Sequence, residues 1–302
     1  MMGKLGDLLE EAKKLVKKPV LAIAGGEDET VLLAAKNAQE MGITECLIFG
    51  DTGKIEKISR SVGVDPSIFD VIHAHDSREA VRKAVESVAK GDASLLMKGK
   101  VKTAEIMSEV LKEEYGLRTG RLLNMVSVFE IANYPRLLIV ADAGMVISPT
   151  LEQKVDMIHN CVLVAKVLGI KMPKVAVVGA VETVNPKMPV TIDAAALAKM
   201  YDRKQIKDAI VDGPLALDNA VSEKAAKHKG IESEVAGKAD ILILPDIEAA
   251  NIFYKSLVFL AGAKVASTIV GARVPVVLTS RADSDETKLL SIALTVLVSA
   301  RG

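Results

Sequence analysis

Pro275-Val-Val-Leu-Thr-Ser-Arg-Ala-Asp-Ser-Asp-Glu-Thr-Lys288 reads as a short buried strand, a polar turn and the start of a helix. Val276 to Thr279 are strand-like, and Asp283 followed by Glu286 has the spacing of a capping box. A turn at the carboxyl end of a strand is where α/β proteins place ligands. Free backbone N–H groups and the positive end of a helix dipole gather there and favour an anion. Ser280 adds a hydroxyl donor, and Arg281 adds a planar, permanently charged fork suited to phosphate.

The same strand, turn and helix pattern recurs toward the N-terminus. Strands are predicted at Val20–Ala24, Cys46–Phe49, Val71–Ala74 and Leu95–Met97, each followed by a helix. Alternation at about 25-residue spacing marks βαβ units wound into a parallel sheet. After a strand at Leu137–Ala141 the texture changes, with Ala143-Gly-Met-Val-Ile-Ser-Pro149 small and turn-like before a long helix from Leu151. A domain boundary is therefore expected near residues 144 to 149. The first domain takes residues 1–144 and recovers about 267–302, and the second takes 145–266.

Half of the 302 residues are hydrophobic but only 3% are aromatic, and there is no Trp. Such a core of Val, Ile, Leu, Ala and Met suits parallel strands covered by helices. The 39 basic and 39 acidic residues cancel, which argues against a nucleic-acid surface and leaves an oligomer plausible. Met1 to Lys18 has no apolar signal core, and the longest apolar run, Leu289 to Ala300, is too short to span a bilayer. A soluble, cytoplasmic protein without membrane contact is expected. Cys46 and Cys161 lie far apart in no C-x-x-C pattern and read as small buried hydrophobes.

Two further stretches offer site chemistry. In Leu95-Leu-Met-Lys-Gly-Lys-Val-Lys-Thr103 a strand ends in a glycine turn carrying Lys98 and Lys100, with Thr103 placed to cap the next helix. These lysines make a phosphate site or a solvated basic loop. In Asp246-Ile-Glu-Ala-Ala-Asn251, Asp246 and Glu248 follow a strand, and Asn251 and Lys255 share a helical face. Here Asp246 could equally be a plain helix cap and Lys255 a surface residue. His73 and His75 alternate on a strand with no third ligand, so no metal site is expected. Gly25-Gly26 does not complete a dinucleotide fingerprint, and no P-loop follows a strand.

The chain resembles the phosphate acetyltransferase and butyryltransferase family, and most closely its butyryltransferase branch. The matching pieces are Met97-Lys-Gly, Lys102-Thr103, Leu151-Glu-Gln-Lys154, Val181-Glu-Thr-Val-Asn-Pro186 and Asp212-Gly-Pro-Leu-Ala-Leu-Asp218. They continue with Val235-Ala-Gly-Lys-Ala-Asp240, Pro245 through Asn251, Lys255-Ser-Leu257 and Thr279-Ser-Arg-Ala-Asp-Ser284. The resemblance implies a two-domain, three-layer αβα fold like the isocitrate and isopropylmalate dehydrogenases, with an interdomain cleft. It also implies reversible transfer of a short acyl group, butyryl or branched, between coenzyme A and inorganic phosphate in a ternary complex. Coenzyme A and phosphate would be substrates, with no permanently bound cofactor and no metal, in a homodimer or higher homo-oligomer dimerising through the second domain.

By the same resemblance Ser280 and Arg281 are the catalytic pair. Lys98, Lys100, Thr103, Asp246, Glu248, Asn251 and Lys255 are substrate-binding candidates. Where the acetyltransferase branch has an aspartate seven residues after the Ser, this chain has Thr287, so Asp283 is the candidate acid/base. Asn124-Met125 stands where Ser-His is expected of butyryltransferases, and Val146 where Asn is usual. An acetyltransferase, a dehydrogenase on the same fold and a non-catalytic acyl-CoA or phosphate-binding protein are the alternatives.

Overall fold

A computed structural model describes residues 1 to 301. In chain order the regular elements are α1 (Gly6–Lys13), β1 (Val20–Ala24), α2 (Glu29–Glu40), β2 (Glu45–Gly50), α3 (Thr52–Ser61), β3 (Asp70–His73), α4 (Ser77–Lys90), β4 (Leu95–Lys98) and α5 (Thr103–Val110). Then follow β5 (Asn124–Glu130), β6 (Leu138–Ala141), α6 (Leu151–Val167), β7 (Lys174–Val178), α7 (Pro189–Asp202), β8 (Ile210–Leu215), α8 (Leu217–Val221) and α9 (Glu223–His228). The chain closes with β9 (Ile241–Ile243), α10 (Ile247–Lys255), β10 (Lys264–Val270), β11 (Val276–Val277) and α11 (Asp285–Arg301). Helices start where the sequence supplies side-chain caps. Asp28, Asp51, Asp76, Thr150 and Asp246 each accept the N–H three residues on, satisfying a donor that the helix cannot.

The chain divides into two compact units, residues 6–123 with 266–302 and residues 1–5 with 124–265. In the first, the strand order is β3-β2-β1-β4-β11-β10. The pairs from β3 to β11 are parallel, as the alternating pattern requires. β10 is antiparallel to β11, because the short connection between them allows only a hairpin-like return. α1, α2 and α11 pack together, while α4 packs on β1 and β2 and against α5, giving the three-layer αβα class.

In the second unit the order is β5-β6-β9-β7-β8, antiparallel between β5 and β6 and parallel from β6 to β8. Residues 124–144, which the sequence reading keeps with the first domain, pair here instead, since β6 is hydrogen-bonded to β9. The change of texture at residue 144 is a turn inside the unit rather than its edge. Phe129, Leu138, Val140, Ala176, Leu215 and Leu242 form the heart of its core. Phe129 is fully buried and meets Tyr254 edge-on with ring centroids 5.3 Å apart. Among the described residues no helix is long and apolar enough to cross a membrane.

Candidate active site

Register places three strand ends side by side. Ala24 at the end of β1 is opposite Lys98 at the end of β4, and Val277 in β11 is opposite Met97. The loops leaving these strands therefore meet. Gly99 N–H donates to Ala24 O at 2.9 Å and Lys100 N–H to Gly25 O at 2.6 Å. A Cβ on Gly99 would collide with the Gly25 carbonyl, and Gly25 itself has φ +80°, so both positions need glycine. The sequence reading set Gly25-Gly26 aside as an incomplete fingerprint; its use here is to let two loops touch.

Lys98 is buried, and its Nζ donates to Gly99 O at 3.2 Å. Burial lowers its pKa, the nearby charges of Arg281 and Lys288 lower it further, and Asp28 and Asp283 oppose them. A lysine loses its proton more easily when its charge is desolvated and crowded by other cations. That crowding is what an anion would relieve.

Beyond β11, Leu278 and Thr279 are buried and the chain turns at Ser280. Ser280 N–H donates to Asp283 Oδ2 at 2.7 Å, Asp283 N–H returns to Ser280 O at 3.3 Å, and Ala282 N–H reaches Ser280 Oγ at 3.3 Å. The capping-box expectation for Asp283 is thereby corrected. Ser284 caps α11 through its Oγ and Thr287 N–H at 3.2 Å, while the Asp283 carboxylate folds back onto the turn. Burial raises the Asp283 pKa, against the Ser280 N–H and the charges of Lys288 and Lys98. Arg281 is exposed, and its guanidinium has no hydrogen bond or ion pair among the described residues.

Two members of this cluster were not anticipated as site residues. Lys288 is 2% exposed, and its Nζ donates to Asp283 O at 2.6 Å and Ser280 O at 3.2 Å. Asp28 caps α2 through Val31 N–H at 3.0 Å and accepts Thr30 Oγ1 at 2.7 Å. Burial pushes the Asp28 carboxyl up, but these hydrogen bonds and the Lys288 charge outweigh it and hold the pKa below the ordinary value. A signal for Lys288 existed, since it precedes Leu289-Leu290 at the head of an otherwise apolar helix.

The remaining candidates separate. Lys100 is exposed at the loop tip. Thr103 is the first residue of α5 rather than its cap, which is Lys102, and Glu105 reaches back to the Lys102 N–H at 3.4 Å. Asp246, Glu248, Asn251 and Lys255 lie in the other unit. Asp246 caps α10 through Ala249 N–H at 2.8 Å, and Asn251 Nδ2 donates to Ala143 O at 2.9 Å. Glu248 and Lys255 are exposed. Asn124 is buried and accepts Asn160 Nδ2 at 2.6 Å. Among the described residues no three His, Cys, Asp or Glu side chains converge as metal ligands.

Known proteins resemble this chain over most of its length. Residues 77–296 match the family described as "Phosphate acetyl/butaryl transferase". A phosphate acetyltransferase of Thermotoga maritima is 58% identical over 97% of this chain and 99% of its own length. A phosphate butyryltransferase of Clostridium acetobutylicum is 46% identical over 99% of each. The crystal structure of a branched-chain phosphotransacylase from Enterococcus faecalis V583 superposes with TM-score 0.83 at 33% identity, covering 94% of this chain and 100% of that one. The chain therefore belongs to the phosphate acetyl/butyryl transferase family.

Proposed function

We propose that this protein reversibly transfers a short acyl group between coenzyme A and inorganic phosphate. An oxygen of phosphate attacks the thioester carbonyl, the C–S bond breaks, and coenzyme A leaves as a thiolate that takes the proton given up by phosphate. Two anions must be held together while charge grows on the carbonyl oxygen, so fixed cations and N–H donors carry the rate. The observation that supports this reading is the cluster of Lys98, Arg281 and Lys288 at adjacent strand ends, with the Arg281 guanidinium unpaired among the described residues.

Arg281 is assigned to phosphate and the developing oxyanion, and Ser280 to a hydrogen bond on the oxyanion or thiolate. Lys98 adds positive charge from the floor of the site, with Lys100 and Thr103 at the loop that follows. Asp283, its pKa raised by burial, is the candidate group for moving the proton. Asp246, Glu248, Asn251 and Lys255 are kept as candidates for holding coenzyme A. Phosphate and coenzyme A are substrates in this scheme, and no resident cofactor or metal is called for. The same reading includes a homo-oligomer. Ile252, Phe259 and Leu260, exposed by 67%, 69% and 86% on and after α10, support it as an apolar face.

Butyryl and branched short acyl groups are the first choice, supported by the butyryltransferase and branched-chain relatives. Acetyl is the second reading, supported by the 58% identical acetyltransferase. The test mixes purified protein with phosphate and acetyl-, butyryl- or isobutyryl-CoA and follows free thiol. Phosphate-dependent thiol release is expected, fastest with the four-carbon thioesters. No release with any of the three would overturn the reading, and release without phosphate would mean a thioesterase.

A further inference from the structure

We propose that Lys288 is a positioning residue for the acyl transfer: its buried ammonium straps the Ser280–Asp283 turn and fixes where Ser280 and Arg281 stand. The proposal rests on the acyl-transfer reading above. Lys288 sits near the start of α11 and is 2% exposed, beside the buried Leu289 and Leu290. A cation is rarely buried without partners, because desolvation penalises its charged form. No carboxylate lies within ion-pair distance of this one among the described residues; its bonds go to the carbonyls of Ser280 and Asp283. Both carbonyls lie upstream of the helix, so the side chain is not serving the helix's own ends, whose unmet groups at this terminus are N–H donors.

The turn is pinned from both sides. The Asp283 carboxylate holds the Ser280 N–H, and Lys288 holds the Ser280 and Asp283 carbonyls. Between these fixed points lies Arg281, whose side chain has no partner among the described residues to orient it. The backbone beneath Arg281 is consequently the feature that aims it. Simple filling of the helix face would be met as well by a methionine, since a buried charge is weak support for stability alone. What an ammonium adds is two hydrogen bonds to the turn and a positive charge near Asp28 and Asp283.

The experiment compares the wild-type chain, Lys288→Met, Arg281→Ala and the double variant. Thiol release from butyryl-CoA with phosphate gives turnover, and amide hydrogen exchange along the chain compares the turn at residues 278–284 with the other elements. Lys288→Met is expected to lower kcat by about tenfold to a hundredfold with KM for butyryl-CoA within about threefold, because small misplacements of catalytic groups act on turnover. In the Arg281→Ala background the same substitution is expected to change kcat by less than about threefold, since the two act as a unit. Exchange in the turn should rise in Lys288→Met, with α2, α4 and the strands unchanged. An unaltered kcat, an equal loss in both backgrounds, or unaltered exchange in the turn would overturn the proposal. If Lys288→Met fails to fold, Lys288→Leu, which likewise has no donor for the two carbonyls, replaces it, and a folded Leu variant with wild-type kcat overturns it equally. A wild-type chain that releases no thiol defeats the acyl-transfer reading, while the exchange measurement still decides whether Lys288 holds the turn.

Discussion

Besides the buried Lys98 at the end of β4, each unit pins a loop with a buried charged side chain, and the two, Lys288 and Asp142, are chemical opposites. Beyond β11 the Lys288 ammonium is held by two backbone carbonyls. Just beyond β6, the Asp142 carboxylate is held by backbone N–H groups, Oδ1 by Gly144 at 2.7 Å and Met145 at 2.8 Å, Oδ2 by Met125 at 2.8 Å. Both groups pin a loop, and burial disfavours the charge of both. The Lys288 pKa is lowered by burial, against the attraction of Asp283, Asp28 and Asp285. Burial drives the Asp142 pKa up to about 6, against its N–H donors. Both loops spend their own N–H groups on internal hydrogen bonds, but the loop pinned by the cation also carries Arg281, whose guanidinium has no partner among the described residues.

The largest effect should come from the first loop. Arg281→Ala is expected to lower the acyl-transfer rate at least about a hundredfold, as removal of a fixed transition-state charge does elsewhere. Initial rates of thiol release check this, and a near-normal rate would remove Arg281 from the mechanism. Thermal unfolding should shift little, because Arg281 is exposed without partners among the described residues.

Asp142→Asn should behave in the opposite way. Its Oδ1 could keep two N–H donors, but the new amide would face the Met125 N–H, donor against donor. Loss of stability by about 1–3 kcal/mol is expected from an unmet buried group, read from denaturant unfolding. Turnover per folded molecule should fall less than in Arg281→Ala; an equal fall would erase the contrast between the loops.

Asp283→Asn tests the proton role. Turnover should drop by roughly tenfold or more, in the range of lost general acid–base catalysis. A matching loss of stability with unchanged turnover would leave Asp283 as a purely structural acceptor for the Ser280 N–H.

The smallest effect is a slope. Asp142 has a folded pKa of about 6, above its ordinary value of 3.8. The folded state then binds the proton more tightly than the unfolded state. Its contribution is fully present below about pH 4 and is lost as pH rises through about 6, at no more than about 1.4 kcal/mol per pH unit. Unfolding free energies of the wild type and Asp142→Asn, compared at pH 4 to 7, should differ most at pH 4 and draw together as pH rises. Parallel curves would mean that the N–H donors of Asp142 cancel the effect of its burial.

Much of the architecture was legible from local pattern. Apolar strands such as Leu21-Ala-Ile-Ala24 and capped helices such as that behind Asp76 announce themselves within a few residues. The Ser280-Arg281 turn was legible for the same reason, since strand, turn and helix start are contiguous. Boundaries set by distant pairing were not: the assignment of residues 124–144 depends on β6 meeting β9, whose residues come a hundred positions later. Asp283 was misread as a helix cap because two acceptors, Asp283 and Ser284, compete for that role, and only the fold of the turn decides between them.

The sequence by itself determined the alternating α/β pattern, the low-aromatic core and the presence of Ser280 and Arg281 at a strand end. Periodicity and side-chain type need only near neighbours to express them. The tertiary structure alone decided that Lys98, Asp28 and Lys288 surround that turn. Three strands separated by as many as about 250 residues must lie in register before their ends, and the charges on them, come together.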